Sequence, residues 1–498
     1  MSIRRVLLCC RGEIALRIVR TCRLLGIETI AIHTDDDRNA GFVLAADASF
    51  HIDAWHPATL IDTVISIAQA VQADAVAPGY GPLAENAAFA AACAAAQLVF
   101  IGPHVDAIRR TGDKIAARAA AQRAGVPVVP GATVADDAQA EAAAADIGFP
   151  ILIKAALGGG GRGIRVVERA EQFGTALDEV RREARLAFGS DEIYLERFLG
   201  EQIRHIEVQV LGDRHGNLLH LGTRECSVQR RRQKIVEEAP APALSGALRE
   251  RLHASALAVA REVGYDSAGT VEFLVDGADR FYFIEMNARI QVEHPVSEAI
   301  TGVDIVEQML RAAAGEPLGL SQDDVRFRGS AIEFRICAED AHADFLPTGG
   351  VVTHYRIPEG PGIRVDSGVR AGVRQSTHFD SLCLKLIVEA ATRDVALRRA
   401  RDALGELVIA GFSTNMPFHL WLLDHPPFKA GRYDLSVTRD FPFAHRVPDD
   451  TARVLHALAA LAAHVGGAPH GTREAGQAAD PSAPSAWVTR HDRRAWAS

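Results

Sequence analysis

The chain opens on a short apolar run, Val6 to Cys9, followed by apolar residues at helical spacing (Ile14, Leu16, Ile18, Val19, Leu24) and a second run in "ETIAIH". A helical stretch follows Pro57, "ADAVAP" reads as a strand, and more helix precedes "LVFIGP". This alternation of periods predicts βαβ units and an open parallel sheet over residues 1–112, an α/β domain. Such domains often bind a dinucleotide after the first strand. "CCRGEIA" lacks the spaced glycines that this requires, so no dinucleotide site is expected there.

Residues 113–325 open with a helix, "DKIAARAAAQRAG", and continue into "FPILIKAALGGGGRGIRVVERA". The glycines at 158, 160 and 163 satisfy GxGxxG, but the β-branched run from Ile164 to Val167 predicts a strand where the dinucleotide fingerprint needs a helix. The Walker pattern fails as well, because Ile164 and Arg165 follow Gly163. What remains is a glycine hairpin flanked by Lys154 and Arg162. It is either a flap whose bare backbone N–H groups approach phosphate, or a plain surface turn. From 326 to 446 strands and turns dominate ("GSAIEFRICAED", "GIRVDSGVRAG", "HFDSLCLKLIVEA"), and one helix, "DVALRRARDALGELV", completes an α+β domain. Residues 447–498 read as an Ala-rich helical piece and then a Gly/Ala/Pro/Ser tail.

The stretch "GTVEFLVDGADRFYFIEMNARIQVEHP", Gly269 to Pro295, carries the most chemistry. Two apolar strands flank a turn at Gly277 to Arg280, a register that sets Glu272 opposite Glu285. Facing carboxylates repel unless a cation lies between them, and hard oxygen ligands suit Mg²⁺ or Mn²⁺. An extended chain beyond Glu285 would show Glu285, Asn287, Arg289, Gln291 and Glu293 on one face. A half-exposed strand alternates in the same way, but these residue types favour a site over a solvated surface.

Composition narrows the class. The 498 residues are 48% hydrophobic and 23% charged with net charge −9, which fits a soluble protein of several domains and argues against a nucleic-acid binder. The basic run in "CSVQRRRQKIVEEAP" is therefore a local feature, either a solvated face or part of an anion pocket. Seven cysteines with no CxxC spacing point to reduced thiols. The N-terminal apolar run is too short for a signal sequence and no run is long enough for a membrane span, so a cytoplasmic protein without membrane contact is expected.

The motifs "RGEIA", "PGYG", "GDK", "IKAALGGGGRG", "HIEVQVLGD", "QKIVEEAP", "EMNARIQVEHPVSE", "FLPTGG", "RVDSGV" and "FDSL" resemble those of the biotin carboxylase component of biotin-dependent carboxylases, an ATP-grasp family. The resemblance runs from about Arg4 to Phe443. It implies a pre-ATP-grasp domain (1–112), an ATP-grasp domain (113–325) with a mobile glycine-rich lid at about 130–200, and a biotin carboxylase C-terminal domain (326–446). In that family ATP phosphorylates bicarbonate to carboxyphosphate, and the CO₂ released is attacked by the ureido nitrogen of biotin.

Carried over by position, the resemblance implies ATP contacts at Lys114, Lys154, Gly160, Gly161 and His205. It puts the adenine strand at Glu196, Arg197 and Leu199, and Gln229 and Arg232 beside the nucleotide. Glu272 and Glu285 match the metal ligands, with Asn287 next to them. Arg289 matches the catalytic arginine, and Glu293 the base for the bicarbonate proton, which requires a pKa raised by burial or by like charge, here that of Glu285 and the phosphates. Lys234, Gln291 and the Val292 backbone match bicarbonate contacts, and Arg335 the stabiliser of the biotin enolate.

Departures from the family pattern are Cys10, Pro82, Ala84, Leu157, Arg197, Arg232 and Ala288. Arg232 stands where a histidine near the ribose is usual. No methionine-flanked biotinyl lysine is present, so the resemblance implies a separate biotin carboxyl carrier protein, carboxyltransferase subunits that set the final acceptor, and a homodimer. The alternative is a drifted ATP-binding regulatory or assembly subunit of such a complex.

Overall fold

The computed structural model describes residues 3–56, 58–134, 136–155, 164–189, 192–443 and 488–490. The flap residues Leu157, Gly158, Gly160, Gly161, Arg162 and Gly163, and nearly all of the tail, lie outside the described residues.

The two-period alternation of the first block folds as expected. Strands Arg5–Leu8, Glu28–His33, Ala48–His51, Ala75–Ala77 and Val99–Phe100 form a parallel sheet, with Arg5–Leu8 in its middle. Val488–Arg490 adds antiparallel at the Ala48–His51 edge. The connections are helices, among them Gly12–Leu24, Leu60–Ala70 and Ala87–Ala95. Leu7, Val76 and Phe89 are fully buried between sheet and helices.

A second unit is a four-stranded antiparallel sheet in the order Gly131–Val134, Ile193–Arg197, Ile151–Ala155, Ile164–Val167. The last two strands, Ile151–Ala155 and Ile164–Val167, pair antiparallel, with Lys154 opposite Ile164. The sheet has a core of its own, in which Ile151, Ile153, Ile193 and Leu195 pack against Ala140, Phe173, Leu177 and Val180 of its helices. Gly131 is held bare for a packing reason, since a Cβ there would stand 2.4 Å from the Leu195 carbonyl oxygen.

The third block is α+β, with its strands joined to those of the second block. Strands Ser330–Cys337, Leu382–Ala390 and Ile363–Ser367 do not close a sheet of their own. They extend one eight-stranded antiparallel sheet in the order Phe281–Asn287, Ala268–Val275, Arg204–Gly212, Leu218–Arg230, Gln233–Ala239, Ser330–Cys337, Leu382–Ala390, Ile363–Ser367. The junction is the ladder Val236↔Phe334, Glu237↔Glu333, Glu238↔Ile332. Pairing there covers a strand edge that each half would otherwise leave open.

Alternation across this sheet separates two environments. Ile332, Phe334, Ile336, Leu384, Leu386 and Val388 pack beneath Ala396, Ala400 and Leu404 of helix Arg393–Glu406. The opposite face, with Ala331, Ile387 and Ala239, takes Val296 and Ile300 of helix His294–Thr301. Glu237, Glu333, Arg335 and Lys385 lie on that second face by register. Buried charge is therefore gathered under one short helix.

Candidate active site

Glu272 and Glu285 are Cα partners, as the hairpin pattern predicts, but by a different route. The turn is one residue longer than expected, so Val275 pairs with Phe281. A bulge at Ile284 then restores the carboxylate pair. Such a bulge re-aims side chains at the site it adjoins. Burial, then the charge of Glu272, raises the pKa of Glu285, with Lys114 pulling the other way. That repulsion is the mark of a place where a cation fits, and two carboxylates suit a hard divalent ion. Glu272 is already engaged: Oε1 accepts from Asn287 Nδ2 at 2.9 Å, Lys234 Nζ at 3.0 Å and Gln291 Nε2 at 3.2 Å.

Lys234 is the centre of the cluster. Its ammonium donates to Glu207 (2.5 Å), Glu293 (2.6 Å) and Glu272 (3.0 Å). Burial opposes its charge, yet Glu207, Glu272 and Glu293 together raise its pKa well above the usual value. Glu293 ends the loop before helix His294–Thr301 and is fully buried. Its second oxygen accepts from Arg335 Nη2 at 2.9 Å.

Burial and Glu285 do not by themselves raise the Glu293 pKa. Burial does push the Glu293 pKa up, but Lys234, Arg335 and Arg224 push it further down, to well below the carboxylate range. The like charge of Glu285 does not govern it. Glu293 is thus held ionised and is weakly basic until its cations turn to another anion.

The segment after Glu285 is likewise not extended. The strand ends at Asn287 and the chain bends into the helix, and the bend brings the polar groups together. Arg289 donates from Nη2 to Asn287 Oδ1 (3.0 Å) and from Nη1 to Gln291 Oε1 (3.3 Å). Its Nε donates to Glu85 Oε2 (3.1 Å), and Glu85 Oε1 accepts from the Ala288 N–H (2.9 Å). Glu85 therefore clamps both the backbone and the guanidinium of this loop from the N-terminal block. Glu85→Gln is expected to raise KM for bicarbonate about tenfold with kcat changed less, because a misplaced arginine weakens anion binding. Steady-state kinetics with bicarbonate varied measure this.

Glu85, Glu207, Arg224 and Lys385 were not singled out in the sequence. Arg224 is fully buried and donates to Glu207 (2.5 Å), Gln209 (2.6 Å), Ser297 and Thr270 (both 3.0 Å). Lys385 donates to the Val292 carbonyl (2.8 Å) and lies 3.1 Å from Glu13, whose other oxygen accepts from the Tyr80 hydroxyl. The Val292 carbonyl being taken, its N–H is the group suited to an anion. A lone charge inside an apolar strand, as in "HIEVQV" and "LCLKLIV", was the available signal.

On the nucleotide side, His205 Nε2 lies 2.9 Å from Glu272 Oε2, and its Nδ1 is 2.7 Å from Gln229 Nε2. Lys154 forms an ion pair with Glu196 across neighbouring strands. Lys114 starts helix Lys114–Arg123, capped by Asp113, which accepts from the Ile115 and Ala116 N–H groups. Burial lowers the Lys114 pKa and Glu285 opposes this, with Lys154 and Arg232 adding like charge. The N–H groups of Arg197 and Phe198 are bonded to Pro130 and Pro150, and the Arg197 side chain is exposed, so this residue does not join the cluster. Leu199 follows in the loop, half-buried.

The basic run is a two-residue hairpin turn. Arg230 pairs with Gln233, and Arg231 and Arg232 take left-handed φ values of 51° and 67°, which side chains other than glycine seldom adopt. Arg230 and Arg231 both form ion pairs with Asp344. Two of the three arginines are thus structural, and Arg232 is exposed, with its charge felt at Lys114.

Clustered cations and a facing carboxylate pair beside a small antiparallel sheet fit an ATP-dependent ligase of the ATP-grasp type. Family models match residues 2–108 (biotin carboxylase, N-terminal domain), 113–321 (carbamoyl-phosphate synthase L chain, ATP binding domain) and 333–439 (biotin carboxylase C-terminal domain). The chain is similar to biotin carboxylase 1 of Bacillus subtilis, 44% identical over 88% of this chain and 99% of that one. A Campylobacter jejuni biotin carboxylase–βγ-ATP complex matches with TM-score 0.86 at 43% identity, covering 88% of this chain and 99% of that one. The biotin carboxylase domain dimer of Hydrogenobacter thermophilus 2-oxoglutarate carboxylase, with MgADP, ADP and bicarbonate, matches with TM-score 0.86 at 42% identity, covering 90% and 100%. The chain belongs to the biotin carboxylase family, and ATP-dependent carboxylation of biotin is its reaction class.

Proposed function

We propose that the chain carboxylates biotin presented by a separate carrier protein, using ATP, a divalent cation and bicarbonate by way of carboxyphosphate, and that carboxyltransferase subunits complete the overall reaction. The observation that carries this reading is Lys234 buried among Glu207, Glu272 and Glu293, with Arg335 and Arg289 beside it. Joining ATP to bicarbonate brings two anions together, and fixed cations at the meeting point lower that barrier.

Glu272, Glu285 and Asn287 are the donors for Mg²⁺ or Mn²⁺, which when bound neutralises phosphoryl charge. Lys114, Lys154, His205, Gln229 and Arg232 line the nucleotide side, with the adenine read along Glu196, Arg197 and Leu199 and the flap glycines Gly160 and Gly161 over the phosphates. Lys234, Arg289, Gln291 and the Val292 N–H hold bicarbonate. As Lys234 turns to that anion it releases Glu293, whose pKa then rises and which takes the bicarbonate proton. Substrate binding thereby creates the base. Arg335 then meets the oxyanion of the biotin enolate, and its fixed charge favours attack on CO₂.

No helix among the described residues is long and apolar enough to cross a membrane, and the seven cysteines are free, which fits a cytoplasmic, reducing setting. A homodimer is the assembly we assign. ATP hydrolysis should require bicarbonate, rise with free biotin, stop with EDTA and return with Mg²⁺ or Mn²⁺. Glu285→Gln should raise the Mg²⁺ requirement about tenfold or more. ATP binding without phosphate release under any of these conditions would instead select the drifted, non-catalytic subunit.

A further inference from the structure

The charged face of the large sheet extends past the groups assigned above. Glu237 and Glu333 are Cα partners on adjacent strands, both fully buried. Glu237 Oε1 touches Arg335 Nη2, and beyond that ion contact none of the four carboxylate oxygens has a hydrogen-bond partner among the described residues. Buried carboxylates without donors are costly when ionised, so such a pair is a natural place to hold a proton.

The second observation is the shared nitrogen. Arg335 Nη2 touches Glu237 Oε1 and lies 2.9 Å from Glu293 Oε2. Two acceptors on one nitrogen are close enough for proton transfer through one bridging water. The charged and titratable groups around Glu237 are Lys234 on its own strand, Arg224 and Cys226 on strand Leu218–Arg230, and Glu333 and Arg335 on the other neighbour. Beyond them are Lys385, committed to Val292 and Glu13, and His294 on the covering helix, kept neutral by burial and by Lys385. Burial raises the Glu237 pKa to about 7 against the pull of Arg335, with Glu293 adding to the rise, and burial pushes Glu333 well above the carboxylate range.

We propose that Glu237 is a positioning residue and proton acceptor behind the base: it receives, across the Arg335 nitrogen, the proton that Glu293 takes from bicarbonate, and so returns Glu293 to its basic form. The O–H bond on Glu293 breaks as one on Glu237 forms. Arg335 stays cationic, shifting its closer ion pair from Glu237 to Glu293, and the proton passes to solvent after the products leave. No electrons change hands.

This inference rests on Glu293 being the base, so Glu293→Gln is measured beside Glu237→Gln and Glu333→Gln. In bicarbonate-dependent ATP hydrolysis from about pH 6 to about pH 9, E237Q is expected to lose about tenfold or more in kcat, with KM for ATP and bicarbonate within about twofold. It should also lose the near-neutral limb of the wild-type kcat profile, and E333Q should shift that limb. A merely structural role would leave the limb in place. Wild-type kcat and profile in E237Q, with E293Q inactive, overturn the inference alone, whereas an active E293Q overturns the base assignment itself. If E237Q does not fold, infrared spectra of the wild-type enzyme decide: a protonated-carboxyl band that titrates near neutrality and changes on adding ATP and bicarbonate is expected, and its absence overturns the proposal.

Discussion

Lys234→Met is expected to abolish turnover, with kcat down about a thousandfold or more, and to destabilise the fold by about 3–5 kcal/mol. The ammonium is the shared donor of three buried carboxylates, and methionine fills its volume without its charge. Glu207 keeps Arg224, and Glu293 keeps Arg335, whereas Glu272 keeps His205 as its ion-pair partner among the described residues, with Arg289 farther off. The pH dependence gives the sign. In the wild type the depressed Glu293 pKa contributes stability that is present above the unfolded carboxylate pKa and is lost as pH falls through the folded value. In the variant that contribution shrinks and burial dominates, so its deficit against wild type should narrow as pH drops below about 5. Thermal melts of both proteins across that range measure it. A deficit independent of pH would mean that the loss is packing.

Glu293→Gln is expected to lower kcat for bicarbonate-dependent ATP hydrolysis by about 10²–10⁴, the usual worth of a positioned base, while KM for ATP stays near wild type. The amide keeps the shape of the carboxyl and its one oxygen can still accept from either Lys234 or Arg335, so the loop before helix His294–Thr301 should hold. What it cannot do is bind the proton. Because the free enzyme holds Glu293 ionised, the acid limb of kcat/KM should lie below the ordinary carboxylate range, and only kcat, which reports the loaded enzyme, should show a raised base. Rate profiles for wild type and variant distinguish the two. Identical kcat in both would remove Glu293 from the chemistry.

Much of this was legible in the chain, and the exceptions have physical causes. The turn and β-branched strands of Gly269 to Asn287 were enough to set Glu272 against Glu285, since hairpin register is local. The bulge at Ile284, which compensates for a longer turn, was not. Alternation grouped Asn287, Arg289, Gln291 and Glu293 correctly as a set but assigned them to a strand. They converge because the chain bends after Asn287 and Glu85 fastens the bend from some two hundred residues away. Glu293 was picked out by position, but the sign of its pKa within the charged cluster was not legible. That sign depends on Lys234 and Arg335, which reach Glu293 from two other strands.

Local periodicity alone determined the parallel sheet of the N-terminal block, the antiparallel pairing of Ile151–Ala155 with Ile164–Val167 and the facing carboxylates, because each is decided by neighbours close in sequence. The motifs determined the family, because residues that handle phosphate and bicarbonate recur in fixed short runs. The tertiary structure alone decided that the last block shares one sheet with the ATP-grasp strands, and that Glu207, Arg224, Lys385, Glu237 and Glu333 belong to the charged face. Strand order and the burial of a single charge are set by distant partners, and in a sequence a charged residue within an apolar strand looks the same whether it faces water or another charge.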